Sequence, residues 1–118
     1  MKIYLPTDYG RPMTQEHTRP VYVPDSLDAL KGSSELIIVL PIELDWTPFN
    51  TYDLSQPQER TRLYQTVLSE AGSEEDVCRY VDRNGLEKSW IDLHLPKRVR
   101  YAWESVFPGL GSIHVSDN

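Results

Sequence analysis

Lys97-Arg98-Val99-Arg100 is the one dense basic run in a chain whose formal charge is −6. It falls where an amphipathic helix is expected to begin, at the positive end of the helix dipole, where cations are disfavoured. A residue choice that conflicts with its local setting marks a candidate site. If segments 86–93 and 97–107 form a helix-turn-helix across His94-Leu95-Pro96, then Lys97, Arg98, Arg100 and Tyr101 head a recognition helix, where base and phosphate contacts are made. Pairing 74–83 with 86–93 instead would present Glu87, Lys88 and Asp92, a poor surface for phosphate. Against the nucleic-acid reading stands a solvated basic face balanced by nearby acids, or a contact with an acidic protein partner.

Glu43-Leu44-Asp45 offers the only arrangement with catalytic character. Two carboxylates at i and i+2 on a strand share a face and could hold Mg²⁺ in a phosphoryl-transfer site. No third ligand or phosphate-gripping loop accompanies them, so a solvated strand end is the plainer expectation. His17, His94 and His114 have no partner at metal-ligand spacing. Cys78 lies on an apolar helical stripe with no activating base, and reads as a small core thiol. Gly109-Leu110-Gly111 lacks the strand–turn–helix context of a nucleotide loop, and no Walker or nucleophile-elbow pattern occurs. The sequence therefore assigns no catalytic residue, no cofactor and no metal ligand, and a non-enzyme is expected. Trp90, Trp103 and Phe107, at helical spacing, read as core. Tyr9 and the stiff Trp46-Thr47-Pro48-Phe49 stretch read as a candidate partner surface.

These residues need elements to position them. Lys2-Ile3-Tyr4-Leu5 and Val21-Tyr22-Val23 carry short strand signals, separated by a proline-bearing loop over 6–20. Asp25 or Ser26 can cap a brief helix through Leu30, with Gly32 ending it in a left-handed conformation. Segment 36–46 is the strongest strand, with Leu36, Ile38, Leu40, Ile42, Leu44 and Trp46 sharing one face at period two, and Pro41 marking an edge, bulge or kink. From Ser55 the period becomes helical. Ser55-Gln56-Pro57-Gln58 resembles a capping box, and Leu63, Tyr64, Val67, Leu68 and Ala71 form one stripe closed by Gly72. Ser73-Glu74-Glu75-Asp76 opens a second helix that Asn84-Gly85 ends. Leu86, Trp90 and Leu93 line a third. Leu95-Pro96 opens a fourth, which Pro108-Gly109 stops. The expected architecture is α+β: a small sheet of about three strands packed with four helices, residues 1–108 forming a single domain and 109–118 a flexible tail.

Composition bounds the function. A chain of 118 residues with 39% hydrophobic and 25% charged side chains fits one globular core. The longest apolar stretch is far short of the roughly 20 residues a membrane span needs. A start without a signal-like apolar region and a lone cysteine point to a cytoplasmic setting. Through Glu59 there are four basic and nine acidic side chains, and from Arg60 onward eight and nine. Such a field disfavours non-specific binding to nucleic acid or anionic membrane.

Val21-Tyr22-Val23-Pro24-Asp25-Ser26-Leu27-Asp28-Ala29-Leu30, Leu44-Asp45-Trp46, Tyr52-Asp53-Leu54, the stretch from Tyr64 to Ala71, and Leu95-Pro96-Lys97-Arg98-Val99-Arg100 through Phe107-Pro108 resemble a family of small actinobacterial proteins of unassigned function. That resemblance implies genes adjacent to nucleotidyltransferase-type toxins, and hence an antitoxin-like or regulatory role, with no catalytic motif to carry over. The expected function is a non-catalytic regulatory or protein-interaction module with a protein partner. A helix-turn-helix transcription regulator and a metal-dependent phosphoryl-transfer enzyme are the alternatives.

Overall fold

Leu63, Tyr64, Val67 and Leu68 form the buried stripe of helix α1 (Pro57–Glu70), with Ala71 buried just beyond its end. The structure, a computed structural model, describes residues 20–33 and 35–110 in full and residues 2, 3, 111 and 112 by backbone alone. The architecture is α+β, as the periodicities indicate. Pro57 occupies the first turn of α1, where a missing amide hydrogen costs nothing. The expected capping box does not form, because Ser55 is engaged one turn earlier. Its amide and hydroxyl both donate to Asp53 Oδ1, at 3.0 and 2.6 Å, and Gln56 takes the cap position without a side-chain bond.

Helix α2 (Glu74–Tyr80) starts as expected, with the Ser73 hydroxyl accepting from the Asp76 amide and three acids in the first turn. It ends earlier than Asn84-Gly85 suggests. Asp82 caps a new helix, α3 (Arg83–Ser89), by accepting from the Gly85 amide at 2.8 Å. Gly85 is interior to α3 for a packing reason: a Cβ there would stand 2.3 Å from the Tyr64 hydroxyl. A 3₁₀ turn (Trp90–Asp92) follows α3, then α4 (Lys97–Val106) and α5 (Pro108–Ser112). The last of these corrects the expected tail. Residues 109–112 are helical and Leu110 is buried in the core, while residues 113–118 lie outside the described residues.

The strands form two antiparallel pairs. β1 (Lys2–Ile3) pairs with β2 (Val21–Tyr22), and β3 (Ile37–Val39) pairs with β4 (Thr51–Asp53). Between β2 and β3, a 3₁₀ turn (Leu27–Ala29) capped by Ser26 leads to Gly32, whose φ of 67° is the left-handed conformation expected there.

The long strand expected over 36–46 is cut at Pro41. Proline gives no hydrogen to a ladder, and here its carbonyl accepts from the amides of both Leu44 and Asp45, at 2.9 and 3.0 Å, rolling the chain into a turn. The shared face therefore splits. Ile38, Leu40 and Leu44 enter the core, and Leu36, Ile42 and Trp46 stay in solvent.

One contiguous core joins Val21 and Val23, the inner residues Ile38, Leu40 and Tyr52 of the β3–β4 hairpin, the α1 stripe, and Val77, Leu86, Trp90, Val99 and Trp103 of the later helices. The Arg83 guanidinium, paired with Asp28 and with Glu87, ties α3 to the 27–29 turn. No described helix is long and apolar enough to cross a membrane.

Candidate functional site

The register of the β3–β4 hairpin decides which side chains face outward. Ile37 lies across from Asp53, Ile38 from Tyr52 and Val39 from Thr51. Side chains alternate along a strand, so Ile38 and Tyr52 point to the core while Ile37 and Val39 share the outer face. The Leu40 amide bonds to Asn50 O at 2.9 Å, which carries the same register one pair further and sets Phe49 across from Pro41 on that outer face. Ile42 and Trp46 follow in the turn beyond. Eight large hydrophobic side chains are exposed among the described residues, and six belong to segment 36–49: Leu36, Ile37, Val39, Ile42, Trp46 and Phe49. Trp46 is 80% and Phe49 72% exposed, values typical of free side chains rather than of core edges.

This apolar surface is braced from behind. The Arg62 guanidinium donates to Phe49 O at 2.9 Å, to Thr51 O at 3.1 Å and to Glu59 Oε1 at 2.9 Å, and it lies 4.0 Å from the Tyr52 ring centroid. The Asn50 side-chain amide donates to Leu40 O at 2.9 Å, closing the hairpin. Thr47 donates to Asp45 Oδ1 through both its amide (3.1 Å) and its hydroxyl (2.6 Å), and the Phe49 amide donates to the Thr47 hydroxyl at 3.2 Å. The loop bearing Trp46 and Phe49 is thus held in one conformation, which lowers the ordering cost of any contact it makes.

Asp45 was expected to be a solvated carboxylate beside Glu43; it is only 8% exposed. With Thr47 on one oxygen, its other oxygen accepts from the Tyr52 hydroxyl at 2.5 Å, and that hydroxyl lies 3.3 Å from Thr66 Oγ1. Burial would raise the Asp45 pKa, but the hydrogen bonds from Thr47 and Tyr52 and the Arg62 charge together hold it below the ordinary aspartate value. Burial and the Asp45 hydrogen bond push the Tyr52 phenol up. Glu43 is exposed in the turn after Pro41, so the two acids do not form a strand-face pair. Among the described residues no group of three or more His, Cys, Asp or Glu could hold a metal ion. A shallow cleft of about 310 Å³ runs past Asp45 and Trp46 to Gln65, Thr66 and Glu70.

The basic run divides. Lys97 and Tyr101 are exposed, Val99 is buried, and Arg98 is half-buried. Arg100 turns back onto the preceding junction. Its guanidinium donates to Leu93 O at 2.5 Å and to Trp90 O at 3.4 Å, lies 5.0 Å from the Trp90 ring centroid, and pairs with Glu104 at 3.7 Å. It fastens the turn between the 90–92 segment and α4, which accounts for a cation so near a helix start. His94 is exposed, its amide donating to the Gln65 side chain. Cys78 is half-buried, and burial raises its pKa, which keeps the thiol protonated. Tyr9, His17 and His114 lie outside the described residues.

Of the six exposed side chains, Trp46 and Phe49 belong to the candidate surface that the sequence indicates, and Leu36, Ile37, Val39 and Ile42 do not. Pro41 is the signal for Ile42, since it ends the strand, while Ile37 and Val39 are exposed because they alternate onto the uncovered face of a two-stranded pair. One charge pattern was also legible: from Gly32 to Glu59 the chain has five acids (Glu35, Glu43, Asp45, Asp53 and Glu59) and no lysine, arginine or histidine. Comparison with known proteins finds no matching family model, no similar curated protein and no similar solved structure.

Proposed function

We propose that this protein is a non-catalytic interaction module that engages a protein partner through the outer face of the β3–β4 hairpin and the adjoining Trp46–Phe49 loop. The observation that carries the reading is the concentration of exposed large hydrophobic side chains in one braced segment. Leaving out Leu36, which alternates onto the other face, the remaining five expose roughly 500–600 Å², taking about 150–250 Å² for a whole aromatic side chain and somewhat less for an aliphatic one. The largest apolar patch of an ordinary monomer is about 300–600 Å² and is often functional. Aromatic anchors on a pre-ordered loop are what the centres of protein interfaces use. The acids bordering this face favour a partner of positive potential. An antitoxin-like role, in which the face covers a positively charged site on a toxin, is the form of this reading that the family resemblance suggests.

A photoreactive amino acid placed at Trp46 or at Phe49 tests the reading in cells that make the protein. One discrete crosslinked product is expected from either position, lost when Ile37→Asp is added. The same group at Ile91, exposed but remote in sequence, is expected to give none. Equal, diffuse products from all three positions would overturn the reading.

A further inference from the structure

Two ladder bonds fix which way the backbone of β3 points. Leu40 N bonds to Asn50 O and Leu54 N to Leu36 O, and hydrogen-bonded residues alternate in an antiparallel pair. Leu36, Ile38 and Leu40 therefore direct their amides and carbonyls at β4. Ile37 and Val39 direct theirs the opposite way, where β3 has no strand partner among the described residues. This open line is closed off at both ends. The Glu35 amide already donates to Ser33 Oγ at 3.0 Å, and Pro41 has no hydrogen to give while its carbonyl is taken by Leu44 and Asp45. Among the described residues two N–H and two C=O groups remain without a partner, enough for one short added strand. Alongside β3 runs a groove of about 430 Å³, bordered by Gly32, Ser33 and Glu35 on one side and by Arg79 and Tyr80 at the end of α2. Glu35 stands at one end of the open line and Glu43 beyond the other. Arg79, across the groove, is paired with Glu75 at 3.9 Å.

We propose that the partner docks by adding an extended segment to the free edge of β3, seated in this groove. The occupant this chemistry selects is a strand of alternating apolar side chains with lysine or arginine at its ends. The backbone bonds to Ile37 and Val39 set its register, as in other strand additions to a sheet edge. Its apolar side chains extend the face formed by Ile37, Val39 and Phe49, and its basic ends meet Glu35 and Glu43. A second copy of this chain is disfavoured as occupant, since the segment it would offer carries the same acids and no cation. The inference rests on the interaction-module reading, to which it adds the mode of docking and the chemistry of the partner.

A random twelve-residue peptide display library, panned against the full chain, supplies the probe. Recovered peptides are expected to alternate β-branched or aromatic residues with polar ones and to carry basic ends. Their synthetic forms should bind at least tenfold more weakly to Val39→Pro, which removes an outward amide but no bond to β4. N-methylation of alternate peptide amides should cost as much in one phase and little in the other, a readout that leaves the protein untouched. Glu35→Lys with Glu43→Lys should weaken binding at least tenfold at low salt. Peptides of helical spacing, or peptides that bind Val39→Pro within twofold and tolerate N-methylation in both phases, would overturn strand addition. If such peptides still lost binding to Phe49→Asp, the docking face would stand and only its mode would fail; indifference to Phe49→Asp as well would sink both. Failure to recover any peptide also overturns strand addition, and the crosslinking experiment then decides the face by itself. A wild-type dimer in sedimentation that Val39→Pro dissolves would make the occupant a second copy and overturn the basic partner.

Discussion

Two groups of aromatic residues in this chain have opposite surroundings. Trp103 is fully buried, its ring 6.2 Å from that of Trp90 and 5.9 Å from that of Phe107, and the group joins α4 to the preceding 3₁₀ turn. Trp46 and Phe49 lie in solvent on a loop cross-braced by Thr47, Asp45 and Arg62. In the first group hydrophobic burial orders the aromatics. In the second, hydrogen bonds among polar neighbours hold the loop and leave the aromatics unused by the fold. Residue type alone does not separate the two cases. What separates them is whether the path of the chain carries the ring to the core: Trp46 shares the alternating face of Ile38, Leu40 and Leu44, but the turn at Pro41 leaves it outside.

The largest expected effect lies in the buried group. Trp103→Ala should cost roughly 3–5 kcal/mol in denaturant unfolding, as large aromatic truncations do. Trp103→Phe sharpens the point, because the Trp103 Nε1–H is buried with no hydrogen-bond partner among the described residues. Removing an unsatisfied donor recovers part of what the smaller ring loses, so that variant should cost less than about 1.5 kcal/mol. A cost for Phe equal to that for Ala would show that the indole nitrogen has a partner.

Asp45 links the exposed loop to the core, and Asp45→Asn should cost about 1–3 kcal/mol, because a neutral amide replaces an acceptor used by three donor groups. Its pH dependence has a definite sign. The folded pKa lies below the unfolded one, so the carboxylate's stabilisation is fully present above the unfolded value and is lost as pH falls through the folded value. Unfolding followed from neutral pH downward should show the wild type converging on Asp45→Asn in that acid range. A constant gap across it would mean that the charge of Asp45 contributes nothing.

These residues also show why parts of the molecule were legible in the sequence and others were not. The α1 stripe and the Ser73 cap are local, and local spacing reveals them. The apolar alternation continues past Pro41, yet the chain does not, since one carbonyl there captures two amides three and four residues on. Asp45 looks like a surface acid until the register brings Tyr52 beneath it. Arg100 looks like the heart of a basic patch until the fold sets the Leu93 carbonyl within its reach. Both are polar groups whose partners lie on a different element, and no periodicity encodes those partners. Phe49 was legible as surface because no helical or strand period holds it, whereas Trp46 ends the alternating face of 36–46 and is exposed only because the turn at Pro41 takes the chain off that face.

Arg100 gives the next smaller effect. Arg100→Ala should lower stability by about 1–2 kcal/mol, through loss of charged hydrogen bonds to the Leu93 and Trp90 carbonyls. Lys97→Ala, at an exposed position, should stay within about 0.5 kcal/mol. Gel-shift titration of the wild type against its own promoter DNA at near-physiological salt should show no sub-micromolar, sequence-specific binding, given the charge of −6. Tight binding that Arg100→Ala weakened, with unchanged stability, would return this run to nucleic-acid recognition.

The smallest expected effect on stability bears most directly on function. Trp46→Ala and Phe49→Ala, alone or together, should change unfolding free energy by no more than about 0.5 kcal/mol per residue, because neither ring is covered in the native state and little area is lost on truncation. Both should keep the native fold, which the near-ultraviolet circular dichroism of the buried Trp90–Trp103 pair reports. The same changes should abolish the discrete crosslinked product obtained with the photoreactive group at the other position. A stability cost above about 1 kcal/mol would mean that these rings pack against the chain itself. The contrast between the two aromatic groups would then be one of degree, and the hairpin face would lose its standing as a free docking surface.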